Sequence, residues 1–139
     1  MRRMGGQSFL LSSNNKPLYH AAAVLASGHM VALFDIAHEM LVKCGLSERR
    51  ARAVLMPLLQ STVTNLTTSS PARALTGTFA RGEAATARRH LTAIRRHNLD
   101  DARAAYLLPG KRTLRLATQN GMNAKALRDI AREIGLASH

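Results

Sequence analysis

Lys16 and His20 are the residues of this chain whose types and spacing best suit joint chemistry. A separation of four puts both on one face of a helical turn. There an ammonium and an imidazole can polarise a carbonyl or donate a proton, and each can shift the other's pKa. The same spacing also suits a solvated lysine at a helix start beside an ordinary histidine, and spacing alone leaves both open. Other combinations carry less. His38-Glu39 begins like the zinc-binding H-E-x-x-H helix, but Val42 stands where the second His is needed. His20 and His38 would lie about 27 Å apart along one helix, so no metal site is expected. Gly5-Gly6 is not the G-x-G-x-x-G turn of a dinucleotide fold. No phosphate-loop motif is present either, so no cofactor site is expected within these residues. Arg88, Arg89, Arg95 and Arg96 repeat at seven-residue spacing and predict one basic ridge. A ridge of this kind is either a solvated face or a contact for phosphate or nucleic acid.

The elements that must position these residues read as helices throughout. Ser12-Ser13-Asn14-Asn15 is a turn and capping cluster, and Pro17 suits a first helical turn. One long helix is expected from about 16 to 44, stopped at Gly45. Leu18, Leu25, Ala32, Ile36 and Met40 form one apolar stripe, widened by Val24, Val31 and Leu41. A helix apolar on several faces is largely buried among other helices. In so short a chain, a partner subunit is expected to cover part of it.

Ser47 is expected to cap the next helix, over 48–68, with Pro57 kinking or dividing it. A short turn follows Ser70-Pro71. Further helices are expected over 83–97, from 98 or 100 with an interruption at Pro109-Gly110, and from Asn123 to Ile134. No segment alternates as a strand does, and no repeat appears. The expected fold is all-α, about six helices, with 1–15 a lead-in or linker remnant and 16–139 one helical domain.

Composition agrees. The 139 residues are 46% hydrophobic and 4% aromatic, with no Trp. The core must therefore come from Leu, Ala, Val, Ile and Met. The formal net charge is +12, and sixteen of the twenty basic residues are Arg. No nucleic-acid motif accompanies that charge, so it reads first as a solubilising surface. Cys44 is the sole cysteine. That rules out an intrachain disulfide and suits a reducing cytoplasm. The N-terminus does not read as a signal peptide. The apolar run from Ala21 to Phe34, about fourteen residues, reads as too short to span a bilayer.

Two segments carry a family resemblance. Lys16-Pro-Leu-Tyr-His-Ala-Ala-Ala-Val-Leu-Ala-Ser resembles the start of the helical domain in a reductase family. Its members pair a Rossmann-like domain with a C-terminal domain of unknown function. Leu75-Thr-Gly-Thr-Phe-Ala-Arg-Gly82 is the second match, supported by Pro57-Leu58-Leu59, Asn65, His90-Leu91 and Tyr106. The resemblance covers roughly residues 5–118. It departs from the family pattern at Gly28, Thr78 and Glu83, where Asn, Pro and Asp are usual. The family is similar to ketopantoate reductase, pyrroline-5-carboxylate reductase and the β-hydroxyacid dehydrogenases. It implies a helical fold like the C-terminal domain of 6-phosphogluconate dehydrogenase.

The resemblance further implies a homodimerisation and substrate-binding half of an NAD(P)-dependent oxidoreductase, inactive alone. NADP or NAD would sit on a Rossmann domain supplied upstream or in trans. Lys16 and His20 would be catalytic. Asn65, Thr76, Gly77, Arg81 and Gly82 would bind a small-molecule substrate, with the 76–82 loop rimming a pocket floored by the first helix. A free-standing helical interaction module is the alternative class, and a small basic nucleic-acid-binding protein is a third. Neither a membrane nor a nucleic-acid partner is expected.

Overall fold

The computed structural model describes residue 10 and residues 12–135. Phe9 and Leu11, expected to pack as a short strand or linker, lie outside the described residues. The described chain is all-α, with no strand. A 3-10 turn, Ser13–Asn15, leads into α1 (Lys16–Ala26) and α2 (Gly28–Lys43). Then come α3 (Glu48–Thr68), the single-turn α4 (Pro71–Ala74), α5 (Ala84–Arg96), α6 (Asp100–Gln119) and α7 (Ala124–Glu133). The chain divides after Phe34 into two compact units.

The expected long first helix is broken at one point. The Ser27 hydroxyl donates to the Ala23 carbonyl at 2.6 Å, and Ser27 leaves helical geometry at φ −124°, ψ −71°. A back-bonding serine followed by glycine is a common cause of a helix bend. Nor is this helix buried, as its composition suggested: no residue of α1 or α2 is buried in the single chain. Leu18, Leu25 and Val31 are 73%, 62% and 70% exposed. The helical stretch Ser13–Lys43, 31 residues, is also long and apolar enough to cross a membrane by length and composition. The fourteen-residue count was therefore too short, because Pro17–Phe34 carries no Asp, Glu, Lys or Arg.

In the second unit the caps fall where the side chains dictate. Ser47 and Ser70 accept from Arg50 and Arg73 backbone N–H groups at 3.4 Å, and Asn123 from that of Ala126 at 2.8 Å. Gly45 takes φ +94° after α2, the left-handed stop that glycine permits. Both internal prolines are absorbed: α3 runs unbroken through Pro57 and α6 through Pro109. A Cβ on Gly110 would meet the Phe79 ring at 3.2 Å, so glycine lets that ring lie against the helix.

The core forms where α5, α6 and α7 meet. Ala87, Leu91, Leu114, Ile130 and Ile134 make the larger cluster, with Phe79 and Tyr106 packed against it. Ile94, Leu99 and Ala102 make a smaller one, against which Ile36 and Met40 pack. Those two therefore leave the exposed stripe of the first helix and join the second unit's interior.

Candidate functional site

Lys16 and His20 belong to the first unit. Lys16 is the first residue of α1, and Pro17 starts the helix beside it. His20 follows one turn later, its ring stacked on Tyr19 at 6.3 Å between centroids. Both side chains are exposed. The one-face relation that the spacing predicts is therefore kept.

The other five candidates belong to the second unit. Asn65 sits in the last turns of α3, and its backbone carbonyl accepts from the Ser69 N–H at 3.0 Å. Thr76 is the second residue of the 75–83 loop and lines an open cavity of about 280 Å³ with Thr62, Leu66 and Leu116. Asn65 is half-buried and not among the residues lining it.

The loop itself is held by its own backbone. The Gly77 carbonyl accepts from Arg81 N–H at 3.1 Å, and the Thr78 carbonyl from Glu83 N–H at 3.0 Å. Gly77 and Gly82 adopt φ +88° and +67°, which side chains rarely tolerate. Gly82 is also pressed against α7, where a Cβ would stand 2.8 Å from the Ala126 Cβ. These two glycines thus have structural reasons to be glycine. Arg81 is already engaged: its Nε and Nη2 donate to the two Glu83 carboxylate oxygens at 2.5 and 3.3 Å. That pairing lowers the Glu83 pKa and raises that of Arg81. Glu83, noted in sequence only as a departure from the family pattern, is therefore the guanidinium's partner.

A polar pairing between the exposed His90 and the half-buried Tyr106 was not singled out as a site. His90 on α5 places Nδ1 3.0 Å from the Tyr106 hydroxyl on α6, with the rings edge-on at 5.9 Å. Tyr106 also touches Phe79 at 5.5 Å between ring centroids. Burial raises the Tyr106 pKa, so the phenol stays neutral near pH 7. Both residues line a cavity of about 290 Å³. The two stand sixteen positions apart on different helices, and a pairing across two helices cannot be read from spacing within one.

The remaining candidates resolve simply. His38, the start of the incomplete zinc pattern, has Nε2 3.0 Å from the Glu48 carbonyl. There it can brace α2 against the start of α3. No metal-binding cluster of three or more His, Cys, Asp or Glu occurs among the described residues. In the Arg ridge, Arg88 pairs with Glu133 on α7 at 2.9 Å. Arg88, Arg89 and Arg96 line one shallow depression on α5.

The comparison with family models now bears on these residues. A model described as Domain of unknown function (DUF2520) matches residues 1–113. The chain belongs to that family. The DUF2520 match takes in Lys16, His20, the 75–83 loop, His90 and Tyr106, and stops inside α6. Leu114, Ile130 and Ile134, which close the larger core cluster, lie beyond it. No curated protein and no solved structure matches the chain.

Proposed function

We propose that this DUF2520 chain is the dimerisation and substrate-binding half of an NAD(P)-dependent oxidoreductase, working in the cytoplasm. Its fold would be of the 6-phosphogluconate dehydrogenase C-terminal type. The observation that carries the proposal is the open apolar stripe of Leu18, Val24, Leu25 and Val31 on α1 and α2. Exposed apolar surface on this scale requires a cover. A second copy supplies an identical stripe, as twofold interfaces do. A bilayer is the other cover that composition allows. His20, His29 and the Ser27-Gly28 break fall inside the stretch, and ionisable residues are costly in hydrocarbon. Helix-on-helix packing favours the dimer.

The described residues contain no strand and so no strand–glycine turn–helix cradle for a dinucleotide. In this reading the NAD or NADP site belongs to a domain supplied upstream or in trans. The chain's own contribution is confined to the substrate. The Lys16 ammonium would stand near the carbonyl oxygen where negative charge develops, and His20 would orient the substrate or carry a proton. Asn65, Thr76, Gly77, Arg81 and Gly82 would bind the substrate. Arg81 keeps N–H donors beyond those Glu83 uses, enough to donate to a substrate carboxylate.

Two measurements test this. Sedimentation of the chain at micromolar concentration should give a dimer, with an interface on the order of 2,000 Å² or more in total. A monomer there removes the dimerisation role. NADPH and NADH consumption should be measured with the polypeptide encoded immediately upstream of Met1, against a panel of 2-oxo acids. Lys16→Ala should leave the helical circular dichroism unchanged and lower turnover about a hundredfold or more. Unchanged turnover removes the catalytic assignment.

A further inference from the structure

The cavity beside the His90–Tyr106 pair belongs to no reading given so far. It lies wholly within the second unit, between the C-terminal turn of α2, α5 and the start of α6, and measures about 290 Å³. Its walls are apolar: Met40, Ile94 and Leu99 come from the smaller core cluster and its surroundings. Its polar groups are few: Lys43, the Cys44 thiol, His90, His97 and Tyr106. A mostly apolar hollow with a few convergent polar groups is the usual form of a small-molecule site.

Charge decides what kind of molecule. No acidic side chain lines the cavity, while an ammonium and two imidazoles do. Ala93 lines it too, and on its other side borders the depression of Arg88, Arg89 and Arg96. That basic ridge adds a positive field able to draw an anion in. No arginine fork lines the cavity itself, so it lacks the bidentate donors that favour phosphate. The lining fits a single anionic head on an apolar body.

We propose that this cavity binds a small apolar monocarboxylate. The carboxylate would lie toward Lys43 and His97, and the apolar body against Met40, Ile94 and Leu99. The neutral Tyr106 hydroxyl and the His90 imidazole hold each other in place, and they offer one further hydrogen-bonding group to the ligand. The proposal does not rest on the oxidoreductase reading, since it needs neither the dimer nor a dinucleotide domain.

The test uses the full chain with 3-phenylpropionate as the probe, followed by calorimetry and by NMR of the His and Tyr side chains. Saturable binding with a Kd on the order of 1 mM or tighter is expected. The signals of His90 and Tyr106 should move with it. Lys43→Met should weaken binding about tenfold through loss of a charge-assisted contact. Ala93→Phe should abolish it by filling the cavity. Both positions are exposed, and circular dichroism will confirm folding. If the larger side chain disturbs the fold, Lys43→Met and the ligand series decide alone. The alcohol 3-phenylpropan-1-ol should bind at least about tenfold more weakly than the acid. No saturation by about 10 mM probe would overturn the proposal. So would equal binding of the alcohol, equal competition by inorganic phosphate, or binding indifferent to Lys43→Met.

Discussion

From Asp35 onward, Leu91, Leu114, Ile130 and Ile134 close into one cluster and Ile94, Leu99 and Ala102 into another. Before it, Leu18, Leu25 and Val31 lie open, and no described residue is buried. The two stretches do not differ in apolar content in the way this contrast suggests. The first is an apolar helix pair, and α5 and α7 are markedly more polar. The difference lies in arrangement. On α5, Ala87, Leu91 and Ile94 recur at spacings of four and three, so one face packs and the opposite face carries arginine. On α1 and α2 apolar residues occupy several faces, which no single neighbour can cover. Apolar residues build an interior where they are confined to one stripe; spread around a helix, they ask for more than one partner.

The sharpest way to break this contrast is Val31→Asp. If the open stripe is covered by a second copy, a carboxylate there is buried without a partner in each half of the interface. The expected loss is about 4 kcal/mol or more of assembly free energy. Sedimentation should show a monomer at concentrations where the parent is a dimer. The second unit should keep its near-native amide protection. A dimer that survives the substitution would mean that the stripe is not the interface.

Ile130→Ala attacks the other side of the contrast. Ile130 is 0% exposed and sits inside the larger cluster. Its truncation leaves a cavity among close-packed helices, with an expected cost of about 3 kcal/mol in urea unfolding. Val24→Ala, at an open position of α1, should cost far less in the monomeric state. Equal losses would show that the two regions are packed alike.

Two glycines refine the same contrast. Gly82 has φ +67° and its Cβ position is occupied by Ala126, so Gly82→Ala should destabilise by about 2 kcal/mol. Gly28, at the start of α2, has nothing within 4 Å of its Cβ position and no left-handed φ. Gly28→Ala should leave stability unchanged or raise it by about 0.5 kcal/mol. Thermal melts of both variants, side by side, read the difference.

Much of the fold was legible because helix signals are local. Ser47, Ser70 and Asn123 cap where their side chains can reach a free backbone N–H, and Gly45 stops α2. The illegible parts were relational. Pro57 read as a kink or a division and Pro109-Gly110 as an interruption, yet both helices run through them. The burial of the first helix followed from its composition alone, whereas burial is decided by what lies alongside. The candidate site divides in the same way. Lys16 and His20 were found together because they are spaced four apart on one helix. His90 and Tyr106 were missed because α5 and α6 bring them together across a turn at Asn98 with φ +54°. Arg81 read as a substrate ligand from the resemblance, and its carboxylate partner two residues on shows only once the loop is folded.

The smallest expected effect concerns protons, and it confines itself to the second unit. Arg81 holds the Glu83 carboxyl below its ordinary pKa, and Lys125 does the same for Asp129 through a 2.9 Å ion pair. For both, the folded pKa lies beneath the unfolded one. Their contribution is present above the unfolded value, near pH 4, and is lost as pH falls through the lowered one. Tyr106 runs the other way, since burial raises its pKa. Its contribution is present below the unfolded value, near pH 10, and is lost as pH rises through the raised one. These three groups should therefore add no pH dependence to the melting temperature between about pH 5 and 9, and should lower it on both sides. Glu83→Gln should soften the acid limb alone, by a small amount that salt reduces further, because both partners of the pair are largely solvated. Tyr106→Phe keeps the ring against Phe79 and removes the ionisable group, so it should soften the alkaline limb alone. Limbs that stay unchanged in both variants would place the pH sensitivity of this fold elsewhere, in the repulsion of a chain carrying +12 rather than in these three side chains.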